Sequence, residues 1–394
     1  MTKNIVIVGG GFAGTKVANN LEKALAKAND QEFRIVLVEK KSHFYHAIAG
    51  LRSAVLDWDS RIMIPYTNLF QNKKNKVIQA SAEQLLKNEL ILDQPVEEFG
   101  VRIPFDYLVI ATGTQYPFPG KVSELDYETA HSRMQSLRSD VKSANSVVIV
   151  GGGSVGIELA GEIREVYPYK KITIVHSKDS FLDDFDNSTA KSKKDVLALV
   201  QKNNVDTIFN DVVILPINSK DPYYKPVDGV VNTKRGKSIQ NVDLVMLAFG
   251  SRPQTEWLKN TDIGAEIVNR NGYIKVKDTF QVDHPDLSHV FVLGDAADFN
   301  ESKLALRTNT HAPIVAKNIV QVAVEKRLVP TGLHKSTLTL IFISFGKKQG
   351  IGYVPLLGGI HVGSWLVSKL KGGSLFAYKS WETLNLTEPS SSER

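Results

Sequence analysis

A chain of 394 residues is too long for one ordinary hydrophobic core, so length alone predicts two or three domains. With 42% apolar and 23% charged residues the composition is that of a globular protein, and no cysteine is present, which excludes disulfides, thiolate metal sites and any dithiol or Cys-nucleophile chemistry. The net charge of +6 gathers in the C-terminal third, where eleven bases from Lys303 to Lys379 face only Glu301 and Glu325; this predicts a cationic surface that draws in anionic nucleotides, anionic lipid or nucleic acid.

The first predicted element is an apolar strand, residues 5–8, which begins so early that no signal peptide or transit segment is expected before it. Thr2 excludes N-myristoylation, which needs a glycine there. Next comes G-x-G-x-x-G on Gly9, Gly11 and Gly14, then an amphipathic helix. In such a loop the first glycine permits a tight turn, the second lets backbone approach a pyrophosphate, and the third lets helix and strand pack closely. The helix N-terminus then presents unpaired N–H groups to the phosphates. A second strand, residues 34–38, ends in Glu39, an acid suited to adenosine ribose hydroxyls.

Residues 107–110 form another apolar strand, followed by Ala111, Thr112 and Gly113. The opening unit then repeats: VVIV from Val147, a loop on Gly151, Gly153 and Gly156, a helix, and a strand over residues 172–175. This copy ends in His176, Ser177 and Lys178 rather than an acid, side chains that suit a 2′-phosphate, so NADPH is expected and NADH also admitted. On the second helix Glu158 and Glu162 share a face; Glu158 is expected to order the nicotinamide and Glu162 to be a solvated or packing residue. A strand over residues 245–248 precedes Gly250, and another over 290–293 precedes Gly294 and Asp295, an acid placed for a ribitol hydroxyl. A helix is predicted from near Thr310, capped by Thr308 and Thr310, with Pro313 and His311 in its first turn and its positive end toward the dinucleotide bound at the first loop. Beyond Pro330, residues 336–345 alternate as a strand, 346–352 turn, and 353–360 form an apolar stretch. Val362, Trp365, Leu366 and Leu370 then suggest an amphipathic helix with Lys369 and Lys371 at its polar end and a membrane-docking role. Residues 387–394 read as a disordered tail. The histidine spacings match no metal motif, so no metal site is expected.

In fold the chain resembles the pyridine nucleotide-disulfide reductase superfamily, and the missing cysteines set aside its disulfide-reducing members. In detail the segments SHFYHAIAGLRSAV (residues 42–55), PFPGK (117–121), GGGSVGIELAGEI (151–163), VHS (175–177) and HVFVLGDAAD (289–298) resemble the apoptosis-inducing-factor-like mitochondrion-associated proteins. The resemblance implies an α/β fold of two Rossmann-like dinucleotide-binding domains arranged as in glutathione reductase. The FAD domain is expected over residues 1–120 and 252–330, an inserted NAD(P)H domain over 121–251, and a small C-terminal α+β domain over 331–394 that covers the flavin. It also implies non-covalent FAD, NADPH or NADH as donor, and a quinone such as ubiquinone or menadione as acceptor.

Carried over residue by residue, Glu158 matches an acid near the nicotinamide, Lys121 a lysine close to the isoalloxazine, and His46 a histidine lining the same pocket; with His311 these are the catalytic candidates. The expected cofactor-binding residues are Gly9, Gly11, Phe12, Ala13, Gly14, Glu39, Lys40, Arg52, Ala111, Thr112, Gly113, Gly151, Gly153, Ser154, Gly156, His176, Gly250, Gly294 and Asp295. The chain departs from the pattern at Thr2, where the mammalian member has glycine, and at Glu382, where a basic residue follows Ser-Trp. A second reading is a pro-death or DNA-binding flavoprotein with slow NAD(P)H oxidation, and a third a reductase for a protein acceptor. The expected location is cytoplasmic, at a mitochondrial outer membrane or lipid-droplet surface.

Overall fold

The computed structural model describes residues 2–182, 189–217, 221–335, 340–354 and 359–389. The strand Lys3–Val8 forms because a parallel strand covered on both faces needs an unbroken apolar run, and Ile5, Val6 and Ile7 are fully buried. Phe33–Glu39 and Tyr107–Ile110 flank it in parallel, and Lys76–Gln79 and Val290–Val292 extend the sheet on either side. The outermost strand therefore joins this sheet only after the chain has built another.

That other sheet repeats the plan. Ser146–Val150 lies between Lys171–Val175 and Leu244–Leu247, with Val205–Ile208 beyond the first and the antiparallel Tyr223–Tyr224 beyond the second. The two chain passages between the sheets run side by side as an antiparallel ribbon, Thr114–Gln115 against Arg252–Pro253. Gly113 and Gly250, at φ +64° and +92°, turn the chain into it.

The C-terminal segment forms a three-stranded antiparallel sheet, Ile341–Phe345, Gln349–Val354 and Ile360–Val362. It packs on the helix Ser154–Val166 so closely that a Cβ on Gly161 would stand 2.5 Å from Phe345 Cα. The last helix, Ala377–Thr383, lies instead against Phe12–Lys27, the helix after the first glycine loop. The C-terminal segment thus straddles both halves of the molecule.

Several expectations change here. The helix expected from Thr310 runs Thr308–Ala323, so Pro313 is inside it rather than in its first turn. Thr308 and Thr310 do not cap it as acceptors; their hydroxyls donate back to the Ala305 and Arg307 carbonyls, because a short 3-10 turn, Ala305–Arg307, already leads in. The amphipathic helix expected near Trp365 is a short α-turn, Ser364–Val367, running into a π-turn, Ser368–Gly372, and Val362 is in the preceding strand. The π-turn rotates Lys371 off the polar end and inward, while Lys369 stays exposed over the Trp365 ring. Of the two roles expected for Glu162 the structure shows the packing one, a buried bidentate pair with Arg52 at 2.8 and 2.9 Å. Of the predicted tail, Glu388 pairs with Arg61 at 2.5 Å; residues 390–394, 336–339 of the predicted strand and 355–358 of the apolar stretch lie outside the described residues. No described helix is long and apolar enough to cross a membrane.

Candidate functional site

The two glycine loops have nearly the same geometry because the same steric demands act on both. Gly9 and Gly151 adopt φ +101° and +118°, and a Cβ on either would meet a carbonyl oxygen of the next strand's end, Ala111 O at 2.6 Å or Ala248 O at 2.3 Å. A Cβ on Gly14 or Gly156 would fall 1.8 or 2.0 Å from the oxygen of that first glycine, so both are needed for helix-to-strand contact rather than for touching a ligand. At Gly11 and Gly153 nothing stands within 4 Å of a Cβ. There the bare backbone and the following helix N-terminus face open space, which is the cradle a pyrophosphate requires.

Both cradles open into one cavity of about 2040 Å³. That exceeds the roughly 300–1,000 Å³ of an ordinary small-ligand pocket and has room for two dinucleotides. Its lining includes Gly9, Gly11, Phe12, Ala13, Glu39, Lys40, Ala111, Thr112, Gly113, Lys121, His46, Gly294 and Asp295 from the first half, and Gly151, Gly153, Ser154, Glu158, His176 and Gly250 from the second. Gly14 and Gly156 stand behind the lining, as their packing role requires. Arg52, expected at the cofactor, is fully buried away from the cavity, held by Glu162 and the Gly373 carbonyl. His311, expected as catalytic, also lies off the cavity, packed between Phe280, Phe299 and His334; its place in the helix turns the ring toward the core.

The first half supplies a hydrogen-bonded chain. Lys121 Nζ donates to the Thr114 carbonyl and hydroxyl, and Thr114 Oγ1 donates to Asp295 Oδ2 at 3.2 Å. Burial holds the Lys121 ammonium below its ordinary value, while Asp295 pulls it back up. Glu39 accepts from the Gly10 and Lys41 N–H groups, and Tyr66 closes the loop by donating to the Gly10 carbonyl at 2.8 Å.

His46 is locked rather than free to shuttle protons. Its Nε2 donates to the Leu375 carbonyl at 2.8 Å, so Nδ1 accepts from the Ser380 hydroxyl at 2.7 Å, and burial pushes the ring down to about 4. Its ring stands edge-on to Phe12 and ties the first loop to the C-terminal helix. His43, also in the lining, is pushed down to about 4 by burial, and Tyr45 donates to the Pro119 carbonyl at 2.6 Å.

In the second half Gly152 N–H donates to His176 Nδ1 at 3.1 Å, so part of this side chain's capacity goes to fixing the loop, and Ser177 and Lys178 share the same wall. Glu158 Oε1 accepts from Ser344 N–H and Oγ at 3.0 and 3.1 Å and from Lys371 Nζ, which also donates to the Phe342 carbonyl at 3.0 Å. The C-terminal segment therefore completes the site beside the second loop. Lys371, Ser344, Thr114 and Lys16 join the site although the sequence marks none of them for it. Lys371 and Ser344 approach Glu158 from the far end of the chain, and no local pattern carries that. Lys16 follows the first loop by one helical turn, which could have flagged it; burial, with Lys379 adding to the effect, lowers it to about 8.

The sequence profile described as pyridine nucleotide-disulphide oxidoreductase matches residues 3–323. "FAD-dependent oxidoreductase FVFD30" of Flammulina velutipes is 33% identical, covering 80% of this chain and 93% of that protein. "Apoptosis-inducing factor homolog A" of Dictyostelium discoideum is 32% identical over 98% of this chain and 93% of its own length, and "Ferroptosis suppressor protein 1" of Homo sapiens is 29% identical over 98% and 97%. Among solved structures, the sulfide:quinone oxidoreductase of Aquifex aeolicus superposes with a TM-score of 0.73 at 20% identity, covering 100% of this chain and 94% of that one.

Proposed function

We propose, for a chain that belongs to the pyridine nucleotide-disulphide oxidoreductase family and is an FAD-dependent NAD(P)H oxidoreductase, that the electron acceptor is a quinone. The observation that carries this reading is the single cavity into which both glycine cradles open, walled at its C-terminal side by Leu340, Phe342, Ile343, Leu370 and Phe376. An apolar wall suits a hydrophobic ring better than a protein acceptor. The chain has no cysteine to carry electrons onward. The resemblance to apoptosis-inducing-factor-like proteins in residues 42–55 and 117–121 supports the same acceptor.

Bound FAD would supply the two-electron redox chemistry between the nicotinamide donor and the acceptor. The protein's own work is positioning, because hydride transfer depends on holding donor and acceptor in close alignment. The Gly11 cradle, Glu39 and Asp295 would hold the flavin nucleotide. Gly153, Ser154 and Lys178 would hold the donor, with Lys178 available to a 2′-phosphate. Lys121 and Lys371, each bound to the wall by neighbouring oxygens, bring positive charge to the cavity and stabilise negative charge that develops there.

Trp365, 72% exposed, with Leu366, Leu370 and the exposed Lys347, Lys348 and Lys369 beside it on the C-terminal segment, forms an apolar and cationic rim suited to the surface of an anionic membrane, from which a lipidic quinone would enter. Steady-state NADPH oxidation tests the acceptor. Menadione or a short-tailed ubiquinone should turn over at roughly 1–10³ per second; faster reduction of a ferredoxin or cytochrome than of either quinone would overturn the proposal.

A further inference from the structure

The histidine spacings in the sequence offer no metal motif, yet the fold brings three potential ligands together from distant positions. Glu301, His311 and His334 each place a ligand atom so that all three atoms lie within 4.8 Å of one another. His311 Nε2 is 3.0 Å from Glu301 Oε1, and His334 Nε2 is 3.5 Å from Glu301 Oε2. Ligands at zinc distances of about 2.0–2.2 Å on a tetrahedral ion stand roughly 3.3–3.5 Å apart, and the 4.8 Å bound on the three ligand atoms leaves only a small side-chain adjustment to reach that spacing.

The cluster is buried, with side-chain exposures of 4% for Glu301, 1% for His311 and 9% for His334. His311 Nε2 faces Glu301 Oε1 as an ion-pair neighbour, while His311 Nδ1 and Glu301 Oε2 make no hydrogen bond. Buried polar atoms in this state need a partner. Phe280 and Phe299 flank both imidazoles and give the cluster an apolar shell.

We propose that Glu301, His311 and His334 form a binding site for a borderline divalent transition-metal ion such as zinc. Two imidazoles and a carboxylate are a donor set that zinc accepts, with a fourth position left for water. Glu301 also lines the large cavity, which supplies a path of entry. Arg307, 3.5 Å from Glu301 Oε2, adds positive charge beside the ion and keeps affinity moderate. The site joins three parts of the chain: the loop after Asp295, the helix Thr308–Ala323, and the segment leading to the C-terminal sheet. A bound ion therefore braces the C-terminal segment against the first half.

Equilibrium dialysis of the intact flavoprotein against zinc chloride, with metal and flavin measured in the same sample, tests this. One zinc per flavin is expected, with a rise in melting temperature. His334→Ala, at the least buried ligand, and Glu301→Gln should each weaken uptake by at least about 100-fold at unchanged flavin content. Arg307→Gln should strengthen it. Absence of stoichiometric uptake, or uptake that both ligand variants leave unchanged, would overturn the proposal.

Discussion

The two glycine loops of this chain are almost superimposable in what they demand of backbone, and they differ in what surrounds them. At the first, Glu39 accepts from loop and following N–H groups and Tyr66 closes the turn. At the second, His176 accepts from the loop, Lys178 stands on the wall, and Glu158 is tied to Ser344 and Lys371 of the C-terminal sheet and π-turn. The cradles thus differ in the side chains around them, and the chain's last quarter reaches both: Ser380 and the Leu375 carbonyl hold His46 beside the first, while Ser344 and Lys371 hold Glu158 beside the second.

Substitutions at the two bare cradle positions break this comparison most sharply. Gly11→Val and Gly153→Val each place a Cβ in open space at an ordinary negative φ, with the rest of the side chain entering the cradle. The first should yield a protein that purifies without flavin colour. The second should keep its flavin and lose at least about 100-fold in kcat/KM for NADPH, about 2.7 kcal/mol of transition-state stabilisation. Loss of flavin from both variants alike would show that the cradles are not specialised.

Arg52 and Glu162 bolt the halves together, one on the helix Ala47–Ser53 and the other on Ser154–Val166. Arg52→Met leaves a carboxylate buried without its partner and should cost about 3–5 kcal/mol in denaturant unfolding. The double variant with Glu162→Leu should recover most of the loss, and equal destabilisation by single and double variants would deny the bolt.

Acid probes the contact between the first loop and the C-terminal helix. His46 is held down to about 4 from an ordinary 6.5, so the unfolded chain takes up a proton that the folded chain refuses. Its contribution is present above about pH 6.5 and is lost as pH falls toward 4, at most about 3 kcal/mol. His46→Gln should flatten that decline in chemical denaturation from pH 7 to 4.5; a parallel decline in both proteins would place the acid sensitivity elsewhere.

Smaller effects belong to the C-terminal side. Lys371→Met should lower kcat roughly tenfold with flavin content unchanged, read by stopped-flow reduction, because it removes one positioned charge from the cavity; an unchanged rate would remove Lys371 from the reaction. Trp365→Ser, at an exposed site, should shift stability by no more than about 0.5 kcal/mol while reducing sedimentation with anionic liposomes. Undiminished sedimentation would remove the rim from membrane docking.

Much of the fold was legible because parallel strands and glycine loops write themselves locally. Residues 5–8, 34–38, 107–110 and 172–175 announce the strands, and the glycine spacing announces the turns. What escaped depended on contacts between distant residues. Arg52 sits in a segment resembling a flavin-binding family yet spends its guanidinium on Glu162. His311 follows a helix start aimed at the cavity but turns into an aromatic core, where Glu301 and His334 meet it. Lys371 looks like a surface lysine until a π-turn rotates it onto Glu158. Periodicity predicts neither a π-turn nor which of several lysines will find a buried acid.

The central claim is that both cradles serve one electron path, and anaerobic titration of the purified protein tests it most directly. The account predicts flavin absorbance that one equivalent of NADPH bleaches and one equivalent of menadione restores. A flavin band untouched by excess NADPH and NADH, or bleached but not restored by quinone, would contradict it.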